Sequence, residues 1–394
     1  MADGVTTGGV LLGLAATHLV YTYVAYPLIV SLLPARPSRP AQGGRRREER
    51  AAPPSVSIVI AARDPGQAIA EKVGQLLRTV TLDSEIIAVL DGPDPGATAA
   101  LAQLGDDRVK VRVLDRPCGK AVALNEGVAV ARGEVLVFTD VRQRVAPGAV
   151  ECLVGELAAA DVGAVSGSLV IPSPDGRDGL YQRYWRFERW LRRREAAWDS
   201  AVGVSGALYA LKRALWSPLP AGLLLDDVWV PFQVVRAGQR VGFAPGAVAT
   251  DVQSGSDATE LARKVRTLTG NYQLIAWMPW VLHPRKNRLW WQFVSHKVLR
   301  LLTPFAVVAG AAGVLLVFGP WAGVVGVAIM GLPWIVRPAR SAAAPGNGFL
   351  GTARSGVAIL AALLVAAFNA ARGRWDVWTD PPRPTFADPP PQEP

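Results

Sequence analysis

Apolar residues fill positions 8–33 of the chain almost without interruption. A helix of that length can cross the hydrocarbon core of a bilayer, which is about 30 Å thick. The run lacks a basic segment before it and a small-residue cleavage site after it, so the pattern favours an uncleaved anchor over a signal peptide. Tyr21, Tyr23 and Tyr26 lie in its second half, as is typical of residues at a membrane interface. The sequence therefore predicts an N-terminal transmembrane helix over residues 1–33.

Residues 55–275 alternate between strand-like and helix-like patterns. Four runs have strand character: 57–60, 85–90, 109–114 and 134–138. The run at 109–114 alternates with period two, and the other three are continuously apolar, as in buried strands. Helical stretches such as 119–132 separate the runs. This alternation predicts an α/β fold with a mostly parallel sheet and helices on both faces.

The pattern changes again after residue 275. Aromatic and basic residues interleave over 276–298, which is typical of helices that lie in a membrane interface, although an ordinary amphipathic surface helix is the alternative. Three apolar runs follow, at 299–318, 320–336 and 356–371. Their lengths predict transmembrane or re-entrant segments within residues 299–372. The Pro-rich tail, residues 373–394, is predicted to be disordered.

Between the first apolar run and the α/β region lies a basic Pro/Arg-rich linker, residues 34–54. Its arginines lie close to the end of the predicted span. The positive-inside rule then predicts that the linker and the α/β region are cytoplasmic. The sequence thus predicts a multi-pass protein of the cell (inner) membrane.

Composition and charge narrow the function classes. The formal charge is +10, and half of the residues are hydrophobic. Arginine clusters such as 192–194 lie beside apolar segments, which favours an anionic membrane surface or phosphate ligands as partners. No nucleic-acid-binding motif occurs, so nucleic acid is not an expected partner. The two cysteines and three histidines have no spacing typical of a disulfide framework or a zinc site.

The segment 180–195 is rich in aromatic and basic residues. Leu180, Tyr184, Phe187 and Leu191 recur at heptad spacing, which predicts that they form a buried face. Trp185 lies off that stripe, as does Trp190. Such rings can stack on a sugar, or they can pack in a core or at an interface.

Acidic residues follow two of the predicted strands and begin a later helix. Asp91 and Asp140 each close an apolar run, and ligands of open α/β sheets bind beyond the carboxyl ends of the strands. Asp226 and Asp227 precede an apolar helical stretch, and adjacent carboxylates raise one another's pKa, which suits a general base. The alternatives are turn formation at Asp91, a turn cap at Asp140 and helix capping by the acidic pair.

Basic residues near these acids suit a phosphate ligand. Lys120 opens a predicted helix after Gly119, where a helix N-terminus favours anions, but a solvated lysine is equally consistent. Arg263 and Arg266 are three residues apart on a predicted helix, so they share a face. Two guanidinium groups there can clamp a diphosphate, or they can form a basic stripe that faces the membrane. A divalent metal at Asp140 would complete a site for a metal–diphosphate.

The order of these motifs resembles the membrane-bound branch of the family-2 glycosyltransferases, which includes cellulose, hyaluronan and poly-N-acetylglucosamine synthases. The resemblance covers about residues 55–305 and implies a GT-A fold for residues 55–275. It rests on short motifs in order. They are Ser57 to Asp64, Asp91, Gly119-Lys120-Ala121 with Leu124-Asn125, Phe138-Thr139-Asp140, Gly206 to Tyr209, Asp227, and Arg263-x-x-Arg266.

The resemblance implies a role for each matched position. It implies nucleotide or diphosphate binding by Ala62, Arg63, Asp91, Lys120, Thr139, Arg263 and Arg266. It implies acceptor binding by Trp185, Glu188, Gly206 and Thr267. Asp140 would hold Mg²⁺ or Mn²⁺, Asp227 would be the catalytic base, and Asp226 would tune it.

Two positions depart from the family pattern. Arg142 stands where a second metal-binding carboxylate is usual, so the metal would rest on Asp140 and the substrate phosphates. Thr267 replaces a tryptophan of the acceptor region, which leaves processive synthesis and single transfer both open.

The resemblance implies an inverting transfer from a nucleotide-sugar donor, expected to be UDP-linked, to a saccharide or lipid acceptor at the cytoplasmic membrane face, with membrane lipids as further partners. The alternatives are single-sugar transfer to a polyprenyl phosphate or lipid, and a membrane binding protein without turnover. Partner subunits are not indicated.

Overall fold

A computed structural model of the chain describes residues 2–36, 53–172, 180–251, 257–322 and 349–377. These residues divide into two compact units. The sheet unit comprises residues 53–172 and 203–251, and the helical unit comprises the remaining described residues. Three predicted segments lie partly outside the described residues. They are the linker 34–54, from residue 37 to residue 52, most of the apolar run 320–336, and the tail beyond residue 377.

The sheet unit is built on one eight-stranded sheet. Its strands are β1 Val56–Ala62, β2 Ser84–Leu90, β3 Val109–Val113, β4 Val135–Thr139, β5 Arg144–Val145, β6 Val162–Val170, β7 Leu208–Lys212 and β8 Arg240–Thr250. They lie in the order β3-β2-β1-β4-β7-β6-β8-β5. The central strands are buried on both faces, since every residue of β4 is buried, as are the first five of β1. That explains why these strands are continuously apolar rather than alternating.

Five helices belong to the sheet unit. They are α3 Ala68–Thr79, α4 Pro95–Ala102, α5 Lys120–Ala129, α6 Ala149–Leu157 and α8 Asp226–Arg236. The helix α3 buries one face through Ile69, Val73 and Leu76, which lie at helical spacing. The helix α4 begins at Pro95, and the Asp94 side chain caps it by accepting a hydrogen bond from Ala97 N at 2.9 Å.

The sheet is mixed, whereas the sequence predicts a mostly parallel one. Four of the described strand pairings are parallel, among β1, β2, β3 and β4 and between β6 and β8. The other three pairings are antiparallel, because β7 inserts between β4 and β6 in the opposite direction and β5 closes the edge on β8. A buried apolar strand looks the same in either direction, so the pattern alone does not encode this reversal.

The strand directions bring the predicted site segments to one edge of the sheet. The parallel register pairs Ala62 of β1 with Leu90 of β2, so Asp91 follows at the carboxyl edge. The strand β4 ends beside β1, and its last residue, Thr139, pairs with Leu208, the first residue of the antiparallel β7. Asp140 and the segment that precedes β7 therefore meet at the same edge.

The helical unit contains the apolar helices. Its elements are α1 Ala2–Val20, a π-helical turn Tyr21–Ala25, α2 Tyr26–Leu32, α7 Leu180–Trp198, α9 Asp257–Trp277, a 3₁₀ turn Pro279–Leu282, α10 Trp290–Phe293, a π-helical turn Val294–Val298, α11 Leu299–Phe318 and α12 Phe349–Ala371. Within the described residues, the continuous helices Asp3–Leu32 and Trp290–Phe318 are long and apolar enough to cross a membrane, and a shorter apolar helix runs over Gly356–Ala371.

Two predictions for this unit differ from the structure. The stretch 276–298 is not a regular helix, because it contains a 3₁₀ turn, and from Trp290 it joins the long apolar helix. The predicted border at 298 therefore falls inside a helix. In α7, Leu191 is buried as predicted, but Tyr184 is 48% exposed. Only part of the predicted heptad stripe is therefore buried.

Candidate active site

Asp91 organises the start of α5. Its Oδ1 accepts hydrogen bonds from the backbone N–H groups of Cys118 at 2.6 Å and Gly119 at 3.0 Å. Its Oδ2 accepts from Arg63 Nη2 at 2.8 Å. Gly119 has a φ of +95°, a conformation that side chains rarely adopt, and it directly precedes Lys120. Asp91, which is 5% exposed, thus fixes the loop from which Lys120 projects. Its contact with a nucleoside stays a prediction.

Lys120 bridges two carboxylates of the predicted site, the metal-ligand candidate Asp140 and the catalytic candidate Asp226. Its Nζ lies 3.1 Å from Asp140 Oδ1 and 3.3 Å from Asp226 Oδ1. Burial opposes the charge on Lys120, but Asp140, Asp226 and Asp227 outweigh it and raise the pKa of Lys120 above its usual range. The ammonium group therefore stays charged at the centre of an acidic cluster.

Asp226 and Asp227 have different surroundings although they are adjacent. They are the first two residues of α8, whose N-cap is Leu225, so neither carboxylate serves as the N-cap side chain. Asp226 is 6% exposed, and its Oδ2 accepts a hydrogen bond from Tyr209 Oη at 3.4 Å. Burial and the nearby carboxylates of Asp226, Asp227 and Asp140 raise the pKa of Tyr209 well above its usual value. The Tyr209 hydroxyl group therefore stays neutral and donates this hydrogen bond. Asp227 is more open.

Gly206 leaves space beside Asp227. A Cβ atom placed on Gly206 would lie 3.8 Å from both Cβ and Oδ2 of Asp227. The main-chain oxygen of Asp227 accepts a hydrogen bond from Val204 N at 2.8 Å, which fixes the segment before β7 against the start of α8. A larger residue at position 206 would occupy the volume next to the carboxylate, so glycine keeps this volume open.

Asp140 follows β4, and its side chain is 33% exposed. Tyr209 and Asp226 are both less exposed than Asp140. The preceding Thr139 is buried and donates its hydroxyl to Ala207 O at 2.8 Å, which ties β4 to the segment before β7. Thr139 thus has a partner inside the protein, and its predicted contact with a nucleotide remains untested.

The ligand atoms that the described residues offer decide which kind of metal site they can form. Within the described ranges, no group of three or more His, Cys, Asp or Glu residues is arranged to hold a metal ion. Asp140 offers one partly open carboxylate. The negative charges of Asp140, Asp226 and Asp227 outnumber the single positive charge of Lys120. These residues fit a hard divalent cation bound by Asp140 and by phosphate oxygens of a substrate, rather than a cation enclosed by protein ligands.

The segment after Asp140 is held by contacts that involve Gln143, Asp251 and Lys72, three residues that sequence reasoning missed. Arg142 lies 3.9 Å from Asp251 Oδ2, and Gln143 donates to the same oxygen at 2.9 Å. Lys72, which is 3% exposed, donates from Nζ to Gln143 O at 2.5 Å. Burial lowers the pKa of Lys72 to about 7, although Asp140 opposes this shift. The available signal was a lysine at a core position of α3, between Ile69 and Val73.

The remaining predicted site residues belong to the helical unit. They are Trp185, Glu188, Arg263, Arg266 and Thr267. Glu188 is buried and accepts hydrogen bonds from Arg300 and from His296 Nε2, the latter at 3.2 Å. Thr267 is exposed and donates its hydroxyl to Arg263 O at 3.0 Å. Their predicted roles toward donor or acceptor stay predictions.

Part of the chain is similar to known proteins. Residues 57–216 match the family described as Glycosyl transferase family 2. The succinoglycan biosynthesis protein ExoO of Rhizobium meliloti (strain 1021) is 28% identical over 124 residues, which are 32% of this chain and 36% of ExoO. The glycosyltransferase GlyG of Streptococcus pneumoniae serotype 4 is 28% identical over 131 residues, which are 33% of this chain and 43% of GlyG. The chain thus matches less than half the length of either relative.

A solved structure shares the fold over most of the chain. It is the mannosyltransferase PcManGT from Pyrobaculum calidifontis in complex with GDP-Man and Mn²⁺. The TM-score is 0.70 at 19% identity, over 93% of this chain and 99% of that chain. The predicted GT-A fold is thereby confirmed as a GT-A-like mixed α/β fold, whereas the cellulose and hyaluronan synthase branch stays a prediction. The family match thus covers residues 57–216 of the chain.

Proposed function

We propose that the protein is an inverting glycosyltransferase that moves a sugar from a nucleotide-sugar donor to a saccharide or lipid acceptor at a membrane surface. The observation that carries the proposal is the cluster of Asp140, Lys120, Asp226 and Asp227 at one edge of the sheet. The family match over residues 57–216 supports sugar transfer as the reaction.

The donor diphosphate is assigned to the side of the cluster that contains Asp140 and Lys120. When Mg²⁺ or Mn²⁺ is bound, Asp140 would hold it, and the ion would supply charge neutralisation for the diphosphate. Lys120 provides a fixed positive charge next to Asp140 and stabilises the charge that develops on the departing diphosphate. Arg63 and Asp91 order the loop beneath it.

The acceptor is assigned to the side that contains Asp227 and Gly206. The acceptor hydroxyl attacks the anomeric carbon, the bond from that carbon to the diphosphate oxygen breaks, and the hydroxyl proton passes to Asp227. Gly206 leaves the space in which this hydroxyl can approach Asp227. Attack opposite the leaving group inverts the anomeric centre.

The membrane location rests on separate observations. Two described helices have the length and composition of membrane spans, and ExoO is named for biosynthesis of the polysaccharide succinoglycan. These support an inner-membrane enzyme with a cytoplasmic sheet unit that acts in envelope polysaccharide synthesis. A UDP-linked donor is expected from the family resemblance, while the GDP-Man bound to PcManGT adds GDP-sugars to the donors that must be tested.

One experiment tests the reaction and distinguishes transfer to a lipid from polymer synthesis. Membranes that contain the full chain are incubated with radiolabelled UDP- and GDP-sugars and Mn²⁺ or Mg²⁺, and the label is followed into an organic extract and into polymer. Label in either fraction, absent with Asp227→Asn, is the expected result. Label in the extract alone identifies single transfer to a lipid. If nucleotides bind but no donor in the panel is consumed, the alternative of a binding protein without turnover is correct instead.

A further inference from the structure

The helix α7 has one face that is buried in the helical unit. Glu188, Leu191 and Glu195 lie on this face, and each is at most 5% exposed. His296 lies between the two carboxylates, with Nδ1 2.8 Å from Glu195 Oε1 and Nε2 3.2 Å from Glu188 Oε2. Tyr26 Oη donates to Glu195 Oε1 at 2.5 Å. These contacts fix the rotation of α7 against both long apolar helices.

The opposite face of α7 is basic and exposed. Arg183, Arg186, Trp190 and Arg193 follow one another at spacings of three, four and three residues, so they form a single stripe. All four are exposed, and we call them the outer face of α7. The two acidic residues of α7 are both on the buried face, so the helix itself supplies no carboxylate to its outer face.

Further features suit the outer face to a membrane surface. The Trp190 ring is 38% exposed and stacks on Phe187 with centroids 5.8 Å apart, which holds the indole in place. Basic residues interleaved with an ordered tryptophan are typical of helices at the headgroup level of a bilayer. The Arg189 pKa is lowered by partial burial and by the neighbouring charge of Arg186, which shows that positive charge is concentrated here.

The end of α7 lies beside the end of the first apolar helix. Arg194 donates hydrogen bonds to the main-chain oxygens of Ser31 and Leu33, the last residues before the apolar run ends. Arg36 N donates to Ala197 O at 2.8 Å. On α2, Leu28 is 57% exposed and Leu32 is 82% exposed. The exposed apolar surface of α2 therefore ends beside the C-terminal end of the basic helix α7, as acyl chains end at headgroups.

We infer that the outer face of α7 binds the phosphates of anionic membrane lipids. The inference rests on the membrane location in the proposed function, and it does not require the transfer reaction. Three arginines offer planar donors to phosphate oxygens, and Trp190 can rest at the glycerol level. Each basic residue near an anionic bilayer is worth about 1 kcal/mol, which is roughly a fivefold change in affinity.

The test measures lipid binding by the purified full chain in a neutral detergent. A fluorescent, short-chain phosphatidylglycerol is the probe, its anisotropy reports binding, and phosphatidylcholine is the reference lipid. We expect tighter binding of phosphatidylglycerol than of phosphatidylcholine, and a loss of at least about tenfold in Arg183→Gln/Arg186→Gln/Arg193→Gln. The corresponding lysine triple variant keeps most of the charge and should retain most of the binding.

A charge-matched control separates a local effect from net charge. Arg112→Gln/Arg132→Gln/Arg213→Gln removes three exposed arginines from the sheet unit and should bind the lipid like the parent protein. Equal binding by the outer-face glutamine variant and the parent, or an equal loss in the control, overturns the inference. Competition by inorganic phosphate at the same concentration as lipid would identify a free-anion site, and stronger competition by RNA would assign the face to nucleic acid. Because no sugar donor is used, failure of the transfer assay leaves this result unaffected.

Discussion

At the residue scale, the neighbours Asp226 and Asp227 illustrate how environment separates two identical side chains. Asp226 is buried against Tyr209 and Lys120, whereas Asp227 is more open and faces the space beside Gly206. A base must reach its substrate, so this difference agrees with Asp227 as the base and Asp226 as a residue that shapes the cluster.

Asp227→Asn is therefore expected to cut sugar transfer by about 10²–10⁴-fold, the usual contribution of a general base, with nucleotide affinity near that of the parent. Asp226→Asn should reduce transfer less. Initial rates with one active donor and calorimetric titration with the nucleotide measure both effects. If Asp226→Asn is the less active variant, the two roles are reversed, and if both variants keep full activity, the pair is structural.

Gly206 permits a test of the acceptor side. Because a Cβ at this position lies at an ordinary contact distance of 3.8 Å from Asp227, Gly206→Ala should fold and bind nucleotide like the parent. Gly206→Leu fills the space beside the carboxylate and should lower transfer by at least about tenfold, since misplacing reacting groups is costly. Nucleotide titration and transfer assays compare the three proteins. Full transfer by the leucine variant would place the acceptor elsewhere.

Lys72 predicts a pH dependence of stability. Burial lowers its pKa from 10.5 to about 7 in the folded protein. Below pH 7 Lys72 is protonated in both the folded and the unfolded state. The free-energy cost of burying its charge therefore lowers the stability of the folded state in full. Between pH 7 and 10.5 the unfolded state binds more protons, so this cost falls as the pH rises.

Lys72→Met should therefore stabilise the sheet unit most at pH 6, by roughly 1–4 kcal/mol, and the gain should shrink toward pH 10. Denaturant unfolding at pH 6, 8 and 10 measures the difference. Lys286→Met, at an exposed position of the helical unit, is the matched control. A gain that is equal at all three pH values would show that the charge of Lys72 is not its source.

At the scale of elements, the crossing of α1 and α11 depends on glycine. A Cβ on Gly313 would lie 2.7 Å from Gly8 O, and one on Gly8 would lie 2.9 Å from Gly313 O. Nearer the middle of the pair, a Cβ on Gly310 would lie 3.1 Å from Ala15 Cβ. The two backbones thus touch, which is how small residues allow apolar helices to associate within lipid.

Gly313→Ala should lower the stability of the detergent-solubilised protein by about 1–3 kcal/mol, because the added methyl group meets backbone that cannot move aside without separating the helices. Gly9→Ala is the control, since nothing lies within 4 Å of a Cβ at that position. Thermal unfolding followed by size-exclusion chromatography compares the variants. Equal melting temperatures for Gly313→Ala and Gly9→Ala would contradict the close crossing.

At the scale of the whole molecule, charge predicts an arrangement across the membrane. The arginines of the linker 34–54 and the basic residues at Arg337, Arg340 and Arg354 predict that both segments are cytoplasmic. Single cysteines placed at Ser38 or Ser341 should resist an impermeant thiol reagent in intact cells, while one at Ala2 should react. Labelling of either cytoplasmic position in intact cells would reverse the predicted topology.

Local patterns were sufficient for the strands β1 to β4 and for the order of the motifs. Continuous apolar runs located β1, β2 and β4, because strands buried on both faces need apolar residues at every position. Asp91 and Asp140 could be placed at strand ends for the same reason. The apolar helices were also evident, because length and hydropathy are local properties.

Sequence alone determined which residue types are available and where β1 to β4 and the apolar helices form, because these depend on neighbours a few positions away. Only the tertiary structure decided that Lys120 bridges Asp140 and Asp226, that β7 runs antiparallel beside β4, and that Lys72 is buried beneath Gln143. These contacts join residues tens of positions apart in the sequence, and no periodicity within a segment specifies its distant partner. The same limit applies to Tyr184, which lies one turn before Glu188 on the same face of α7 but is 48% exposed, a difference that the heptad pattern does not reveal.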